Sequence, residues 1–231
     1  MTPIIAEKKW LNYLKRLPFL IPKTNFKAII LSPHPDDETL GAGGLIVDLI
    51  RRNIDVKIIA ITDGENAYKN IKDLREIRKK EQENALKKLG VSKNKIIRLM
   101  LEDSSVHLAE NKLEHLILPF IDKNITLIAP WIGDFHPDHE AVGRVAVKIA
   151  SNLKINLIFY FFWTWHHSTI SEIRHLPLSI YPLGANTLNL KQRAITCYRS
   201  QQVLPESESI LTNELLKPAQ RQFEVFLNYK T

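Results

Sequence analysis

The residues best suited to chemistry lie in the stretch Ser32-Pro-His34-Pro-Asp36-Asp37-Glu38, where one histidine and three acidic residues fall within five positions. Carboxylates this close repel one another, and the start of a helix needs only one acidic cap. A cation would relieve the repulsion, with His34 and Asp37 as ligands and Asp36 directed elsewhere, because neighbouring side chains cannot all point at one ion. The alternative is an acidic helix cap surrounded by solvated charges.

A second stretch, at positions 136–140, repeats the pattern His-Pro-Asp-x-Glu. Together the two stretches offer two histidines and a carboxylate, and three protein ligands plus water are typical of a catalytic zinc site. His34, Asp37 and His139 would be these ligands. Asp36 would then accept a proton from water whose pKa zinc brings near 7. The alternative for the histidines of the second stretch is a pair of solvent-exposed rings at the start of a helix.

The elements that must position these stretches follow a regular alternation. Apolar runs predict five strands, at 28–31, 56–62, 95–99, 125–129 and 155–161. Helical patterns follow the first four runs, at 41–52, 71–89, 108–122 and 136–153. Strands that are apolar throughout indicate a parallel sheet buried on both faces. We therefore predict a Rossmann-like α/β fold with a mostly parallel sheet, helices on both faces, and an irregular or helical C-terminal extension containing helices at 188–202 and 217–228.

The predicted order of the strands brings the two stretches together. In the common order 3-2-1-4-5, strands one and four are neighbours at the point where the order reverses, and ligands bind at the carboxyl ends of strands there. The first stretch follows strand one and the second follows strand four. The two loops should therefore face each other across one crevice, provided that this strand order holds.

Composition narrows the class of protein. The chain has 231 residues, 45% of them hydrophobic, which favours a single α/β domain over 1–231. We divide it into a leading basic helix (1–23), a Rossmann-like core (27–163) and the C-terminal extension (164–231). The net charge is +7, but the basic residues are dispersed and match no common nucleic-acid-binding motif. We therefore expect no nucleic-acid partner.

Cysteine content and the N-terminal residues indicate which covalent links, metal sites and cellular locations to expect. The single cysteine, Cys197, excludes a disulfide within the chain and a zinc site made of cysteines. No secretory signal is recognisable at the start, and a cytoplasmic protein is the default expectation. Residues 7–23 mix basic and apolar residues, which would suit contact with a membrane surface. We favour instead a helix packed on the domain, because one short segment binds membranes weakly.

The two His-Pro-Asp stretches resemble the two signatures of the LmbE-like, or PIG-L, family of zinc-dependent de-N-acetylases. Three further segments resemble other elements of that family: Thr62-Asp-Gly-Glu65, the pattern R-x-x-E-x-x-x-A-x-x-x-L-G from Arg78 to Gly90, and the segment from Lys191 to Tyr198-Arg-Ser-Gln201. The resemblance therefore extends over about residues 27–202. The two signatures in this order carry most of its specificity.

The resemblance implies a role for each matching residue. His34, Asp37 and His139 match the metal ligands, and Asp36 matches the general base. His136 matches the residue that stabilises the tetrahedral oxyanion and protonates the leaving amine. The resemblance also implies that Asp138 holds the His136 ring and that Arg78 and Asp103 contact substrate. Some members place a tyrosine two residues before the first histidine of the second signature, where this chain has Asp134.

Aromatic residues after the last predicted strand provide a further candidate site. Trp163, Trp165, His166 and His167 would lie on the site side of the sheet. These aromatic walls and a histidine could bind a sugar ring, with Trp163 as the candidate contact, and the alternative is an aromatic cluster at the edge of the core.

The function expected from these observations is removal of an N-acetyl group from an amino sugar or from a conjugate that contains N-acetylglucosamine. Zn²⁺ is the expected cofactor, although such nitrogen and oxygen ligands also accept Fe²⁺ or Co²⁺. The alternatives are a metal-dependent hydrolase of a non-sugar amide and a non-catalytic protein that binds sugar or nucleotide. The sequence leaves open the acceptor sugar and the oligomeric state, a homo-oligomer included.

Overall fold

A computed structural model of the protein describes residues 2–19, 27–69, 71–202 and 209–229. Seven strands form one sheet in the order β3-β2-β1-β4-β5-β7-β6. Their bounds are β1 Lys27–Ser32, β2 Asp55–Thr62, β3 Ile96–Leu101, β4 Ile125–Pro130, β5 Asn156–Tyr160, β6 Leu178–Pro182 and β7 Phe223–Tyr229. The pairs among β1 to β5 are parallel, whereas β7 runs antiparallel to both β5 and β6. The predicted fold class and the predicted order 3-2-1-4-5 are both confirmed.

Helices cover both faces of this sheet. Their bounds are α1 Glu7–Leu14, α2 Asp37–Arg51, α3 Leu74–Leu89, α4 Glu110–Ile117, α5 Pro137–Leu153, α6 Thr164–His167, α7 Ile170–Ile173, α8 Ala185–Ile195, α9 Arg199–Gln202 and α10 Asn213–Leu216. The predicted helix at 108–122 is an α-helix flanked by short 3₁₀ turns. None of the helices in the described residues is long and apolar enough to cross a membrane.

Alternate residues along the central strands contribute to two separate cores. Ile29 and Leu31 point to the face covered by α1, α4 and α5. Ala28 and Ile30 point to the opposite face, which α2, α3 and α8 cover. Successive strand side chains point to opposite faces, so a strand buried on both faces must be apolar at every position. This requirement explains the continuous apolar runs that identified the strands.

The leading helix packs on the domain. In α1, Trp10 and Leu14 are buried in the same core as α5. The Trp10 indole donates a hydrogen bond of 3.0 Å to the carbonyl oxygen of Trp165. The predicted segment 7–23 extends past α1, and its residues 20–23 lie outside the described part of the chain.

The prediction of a last helix at 217–228 is wrong, because its second half forms β7 and only Pro218–Gln220 forms a short 3₁₀ turn. In β7, Val225 and Leu227 join one core and Phe226 joins the other, which is the alternation of a strand. Strand β6 was not predicted either. The C-terminal extension therefore completes the sheet through an antiparallel pair.

Candidate metal centre

The two His-Pro-Asp stretches meet at the carboxyl ends of β1 and β4. The His34 imidazole Nε2 lies 3.2 Å from Oδ2 of Asp138, a contact between residues far apart in sequence. The same Nε2 lies 3.2 Å from Oδ1 of Asp103, which follows β3. These contacts place three loops around one point and agree with the crevice predicted from the strand order.

Asp37 lies between the two histidines predicted as metal ligands. Its Oδ2 is 3.2 Å from Nδ1 of His34 and 3.1 Å from Nε2 of His139. The same oxygen accepts the backbone N–H of His34 at 2.9 Å, which fixes the carboxylate against its own loop. The structure therefore brings the three predicted ligands together around one carboxylate oxygen.

His139 presents a ring nitrogen that suits a metal ion. Its side chain is fully buried, and its Nδ1 lies 2.9 Å from Oδ2 of Asp134. Its Nε2 lies 3.1 Å from Oδ2 of Asp37 without the geometry of a hydrogen bond, and it has no hydrogen-bond partner within the described part of the chain. A buried imidazole nitrogen without a hydrogen bond is costly, whereas a metal ligand needs such a free lone pair. The donor set present here therefore fits a bound cation.

Asp134 is the functional residue that the sequence analysis missed. Besides the His139 ring, its carboxylate accepts the backbone N–H groups of Phe162 and Thr164 at 3.1 and 3.0 Å. The Thr164 hydroxyl donates a further hydrogen bond of 2.6 Å. A carboxylate on the far ring nitrogen of a ligating histidine fixes the orientation of the ring. Its position two residues before His136 was the available sequence signal for Asp134. Its role could not be predicted from that position, because its backbone partners lie after β5.

Two groups of three side chains place ligand atoms within 4.8 Å of one another and could hold an ion. The first comprises His34, His136 and His139, and the second comprises His34, Asp103 and Asp138. Asp37 belongs to neither group but contacts two of the histidines. His34 and His139 are thus common to the predicted ligand set and to the first group.

The electrostatics of this cluster favour positive charge. Burial disfavours a charged His139, but Asp37 and Asp134 outweigh it and raise the pKa of His139 to about 9. The pKa of His34 is likewise raised, because hydrogen bonds to Asp103, Asp138 and Asp37 outweigh burial. Contact with both rings lowers the pKa of Asp37 despite its burial. The carboxylates therefore stabilise a cation at this point.

The Asp36 carboxylate contacts Arg78 and not the two histidines predicted as ligands. Its Oδ2 lies 3.2 Å from the Nη2 of Arg78, and its φ is 137°, which is strained for a residue with a side chain. Burial raises the pKa of Asp36 to about 8, and the nearby Asp37 and Glu38 add to the rise while Arg78 opposes it. Asp36 is thus a buried carboxyl group whose proton affinity lies near neutral pH.

The His136 ring is held differently from the expectation based on resemblance. Its Nδ1 accepts the backbone N–H of Asp138 at 3.2 Å. The Asp138 carboxylate instead accepts the backbone N–H groups of Ser104 and Val106 at 2.9 and 3.0 Å and contacts His34. Burial and the neighbouring His34 and His139 lower the pKa of His136 to about 4. It is therefore the backbone of Asp138, and not its carboxylate, that positions His136.

The candidate metal centre opens into a cavity of about 110 Å³. Residues expected from sequence that line it are His34, Asp36, Asp37, Arg78, Asp103, His136 and Trp163. Gln201, from the late segment that resembles the family, also lines it, and the residues not singled out beforehand are Ala67, Ser104, Phe162, Ile210 and Leu211. The three predicted substrate contacts, Arg78, Asp103 and Trp163, thus all face this space. Trp163 lies nearly parallel to the His136 ring at a centroid distance of 6.1 Å.

The other aromatic residues of this segment have different surroundings. Trp165 is buried in the core, with the guanidinium of Arg221 lying 4.6 Å from its ring centre. His166 is buried, and neither ring nitrogen makes a hydrogen bond within the described residues. His167 is only partly buried, and its ring lies 5.8 Å from that of Trp163. Of these three, His167 and His166 contact Trp163, whereas Trp165 is part of the core.

Glu38 belongs to the scaffold and not to the ligand set. It is fully buried and accepts hydrogen bonds from the hydroxyl groups of Ser32 and Tyr198 at 2.6 and 2.7 Å. The side-chain amide of Gln82 donates to it at 3.1 Å. The segment around Tyr198, which resembles a late family element, therefore contributes to the support of the first stretch.

Comparison with known proteins agrees with the resemblance noted for the two His-Pro-Asp stretches. The sequence profile of PIG-L, described as GlcNAc-PI de-N-acetylase, matches residues 29–150. A protein named "Probable N-acetyl-alpha-D-glucosaminyl L-malate deacetylase 2", from Bacillus cereus, is 30% identical over 135 residues, or 54% of this chain and 61% of the relative. This chain spans about 58–63% of the length of three such Bacillus relatives.

Solved structures share the fold over most of the chain. The N,N'-diacetylchitobiose deacetylase from Pyrococcus horikoshii superposes with a TM-score of 0.66 at 19% identity, covering 98% of this chain and 93% of that one. A zinc-inhibited form of teicoplanin deacetylase Orf2 superposes with a TM-score of 0.68 at 16% identity, covering 87% and 97%. At these identities the likeness establishes the common fold.

Proposed function

The chain belongs to the PIG-L, or LmbE-like, family, and we propose that it is a zinc-dependent N-deacetylase that acts on an amino-sugar conjugate. The observation that carries this proposal is the convergence of His34, Asp37 and His139, in which the buried His139 Nε2 faces the Asp37 carboxylate at 3.1 Å without the geometry of a hydrogen bond. One sheet contains all seven strands, which supports a single domain.

His34, Asp37 and His139 would hold the metal ion in this proposal. Bound zinc supplies a Lewis acid that polarises a carbonyl oxygen and lowers the pKa of water towards 7. Asp134 fixes the ring of His139 from the side opposite to the free nitrogen. Fe²⁺ and Co²⁺ suit the same nitrogen and oxygen donors and are alternatives that a metal analysis would identify.

Asp36 is the proposed general base. It lies next to the ligand Asp37 but contacts Arg78 instead of the histidines. Its pKa of about 8 lies near the working pH, which is the condition for efficient proton transfer. Positive charge held at Asp37 would favour the ionised form of Asp36, which can accept a proton from the attacking water.

His136 is the proposed donor to the oxyanion that forms when water adds to the amide carbonyl. Because its Nδ1 accepts a backbone hydrogen bond, the neutral ring carries its proton on Nε2 and can donate there. The resemblance implies that His136 also protonates the leaving amine. The low pKa of His136 favours a different route, in which Asp36 returns its newly accepted proton to the amine.

The proposed substrate is a small N-acetylated sugar or glycoconjugate. Relatives are named for action on N-acetyl-α-D-glucosaminyl L-malate and on diacetylchitobiose. The cavity of about 110 Å³ is smaller than the pockets that enclose whole drug-sized ligands. We infer that it takes the acetamido end of one sugar, with Arg78, Asp103 and Trp163 as contacts, while the rest of the conjugate lies outside.

The test is a metal analysis followed by an assay for released acetate. The purified chain should contain about one zinc ion and should release acetate from N-acetylglucosamine conjugates. Chelation should abolish the release, and one equivalent of Zn²⁺ should restore it. Excess zinc is avoided, because a structural neighbour was captured in a zinc-inhibited form.

Other outcomes of this assay would distinguish the alternatives. Acetate release from a non-sugar acetamide, but from no sugar, would replace the proposed substrate class. Sugar binding without acetate release, unchanged by the chelator, would contradict the enzymatic proposal and favour a binding protein.

A further inference from the structure

A row of aromatic rings extends from the candidate active site to the protein surface. The ring of Trp163, which lines the cavity, lies 6.1 Å from that of His136 and 5.8 Å from that of His167. The His167 ring in turn lies 6.1 Å from the phenyl ring of Phe135. We call Trp163, His167 and Phe135 the aromatic row. It is continuous with the space where the acetamido group would bind.

Phe135 has no evident role in the stability of the fold. Its side chain is 45% exposed, and it belongs to none of the hydrophobic clusters formed by the described residues. Its φ is 57°, in the left-handed region that is strained for a bulky residue. Strained backbone conformations cluster at functional sites, so the left-handed Phe135 beside the candidate active site suggests a binding role.

The charges around the cavity favour a neutral ligand. Among the described lining residues, Arg78 is the one lysine or arginine. Its guanidinium donates to the carbonyl oxygens of Gly64 and Pro35 and to Asp36, so it is already engaged. Three carboxylates also line the cavity, those of Asp36, Asp37 and Asp103. An anionic group attached to the sugar would meet these carboxylates, because the positive charge of the candidate metal centre lies where the acetamido group would bind and Arg78 is already engaged.

The chemistry of the row indicates which neutral group would bind there. The faces of aromatic rings carry partial negative charge, and the C–H groups on one face of a pyranose ring carry partial positive charge. A pyranose therefore stacks on such rings while its hydroxyl groups remain in water or bond to a histidine. A purely hydrocarbon chain would gain nothing from the polar His167.

We propose that the aromatic row is the binding site for a second, uncharged pyranose ring, joined by a glycosidic bond to the N-acetylated sugar that is deacetylated. The inference rests on the proposed function and specifies its substrate class. The substrate would then be a neutral disaccharide or longer saccharide, in contrast to the malate conjugate for which the Bacillus relatives are named.

The experiment compares three substrates: N-acetylglucosamine, N,N'-diacetylchitobiose and N-acetyl-α-D-glucosaminyl L-malate. The wild-type protein should show its highest kcat/KM with the disaccharide. Phe135→Ala should lower the ratio of kcat/KM for the disaccharide to that for the monosaccharide by roughly three- to tenfold, mainly through KM. Using this ratio cancels any effect of the substitution on the neighbouring His136.

Three further variants make the result specific. Phe135→Trp keeps a stacking surface and should retain the ratio. Phe135→Gly removes the ring and relieves the left-handed strain, so it should lower the ratio while leaving the melting temperature unchanged or higher. Ile132→Ala, at a similarly exposed residue of the same loop (41% exposed), is the matched control and should leave the ratio unchanged.

The proposal would be overturned by an unchanged ratio in Phe135→Ala, or by a preference of the wild-type protein for the malate conjugate. Absence of acetate release from all three substrates would be a failure of the proposed function itself. Deacetylation that does not respond to the loss of the Phe135 ring would be a failure of this inference alone.

Discussion

The two His-Pro-Asp-x-Glu stretches have the same residue types in the same order, yet corresponding residues do different work. The middle aspartate of the first, Asp36, faces Arg78 and the cavity from a strained backbone. Its counterpart Asp138 is fully buried and accepts two backbone N–H groups. The glutamates differ in the same way, since Glu38 is fully buried and Glu140 is partly exposed.

The difference shows that the structural surroundings of a motif, more than its amino-acid sequence, determine the role of each residue. The first stretch is enclosed by α3 and the segment around Tyr198, which satisfy its glutamate and leave Asp36 free. The second stretch begins a helix beside the loop of residues 104–106, whose backbone N–H groups need an acceptor. One aspartate is thereby available for chemistry, while the other is committed to structure.

The largest expected effect comes from exchanging the two aspartates for asparagine. Asp36→Asn should lower kcat by roughly 10²–10⁴-fold, because a general base contributes about that much. The melting temperature of the zinc-free protein should change little, since burial raises the pKa of Asp36 to about 8 and so favours its uncharged form near neutral pH. Asp138→Asn should instead cost about 1–3 kcal/mol of unfolding free energy, because an amide cannot accept at both positions that face backbone N–H groups.

Steady-state rates and thermal unfolding on both variants measure this contrast. A melting temperature lowered by roughly 2–12 °C in Asp138→Asn corresponds to that free energy for a chain of this size. If Asp36→Asn kept full activity with zinc bound, the assignment of the base would be wrong. An Asp138→Asn protein as stable as the wild type would contradict the structural role given to Asp138.

A smaller effect should distinguish the two histidines that we propose as metal ligands. The partners of His34 all lie within the site, whereas His139 is oriented from outside it by Asp134. Asp134→Asn should weaken zinc affinity by roughly 10–100-fold, because the amide no longer fixes the ring of His139 as strongly. Competition with a chromogenic chelator measures the affinity.

Thr164→Val is the matched control for this experiment. It removes one hydrogen bond to the same carboxylate but leaves Asp134 on the ring of His139. It should weaken zinc binding less than Asp134→Asn does. Equal zinc affinity in Asp134→Asn and the wild type would show that Asp134 has no positioning role.

The core and the meeting of the two His-Pro-Asp stretches could be predicted because their signals are local. Each buried parallel strand is a short apolar run, and both motifs lie directly after such runs. The common strand order then sufficed to place the loops side by side. This reasoning did not depend on knowing which side chains contact one another in the folded protein.

The features that could not be predicted depend on contacts distant in sequence. Strand β7 pairs with β5 and β6, and its Glu224 forms a buried ion pair with Lys191 at 2.6 Å. From sequence alone, without these partners, the segment around β7 is therefore predicted to be a helix. Asp134 and Asp138 are similar cases, because their hydrogen-bond donors lie about 30 residues away in other loops.

The smallest expected effect compares the two glutamates. Glu38→Gln places an amide among the hydroxyl groups of Ser32 and Tyr198 and the amide of Gln82, so at least one donor loses its acceptor. We expect a loss of about 2 kcal/mol, or roughly 4–8 °C in melting temperature. Glu140→Gln should change stability by less than about 0.5 kcal/mol, because its nearest cation, Arg144, is 3.9 Å away at the surface. Equal stability of the two variants would show that the burial of Glu38 does not distinguish the two stretches, whereas the expected gap would confirm that the first glutamate supports the site from within the core.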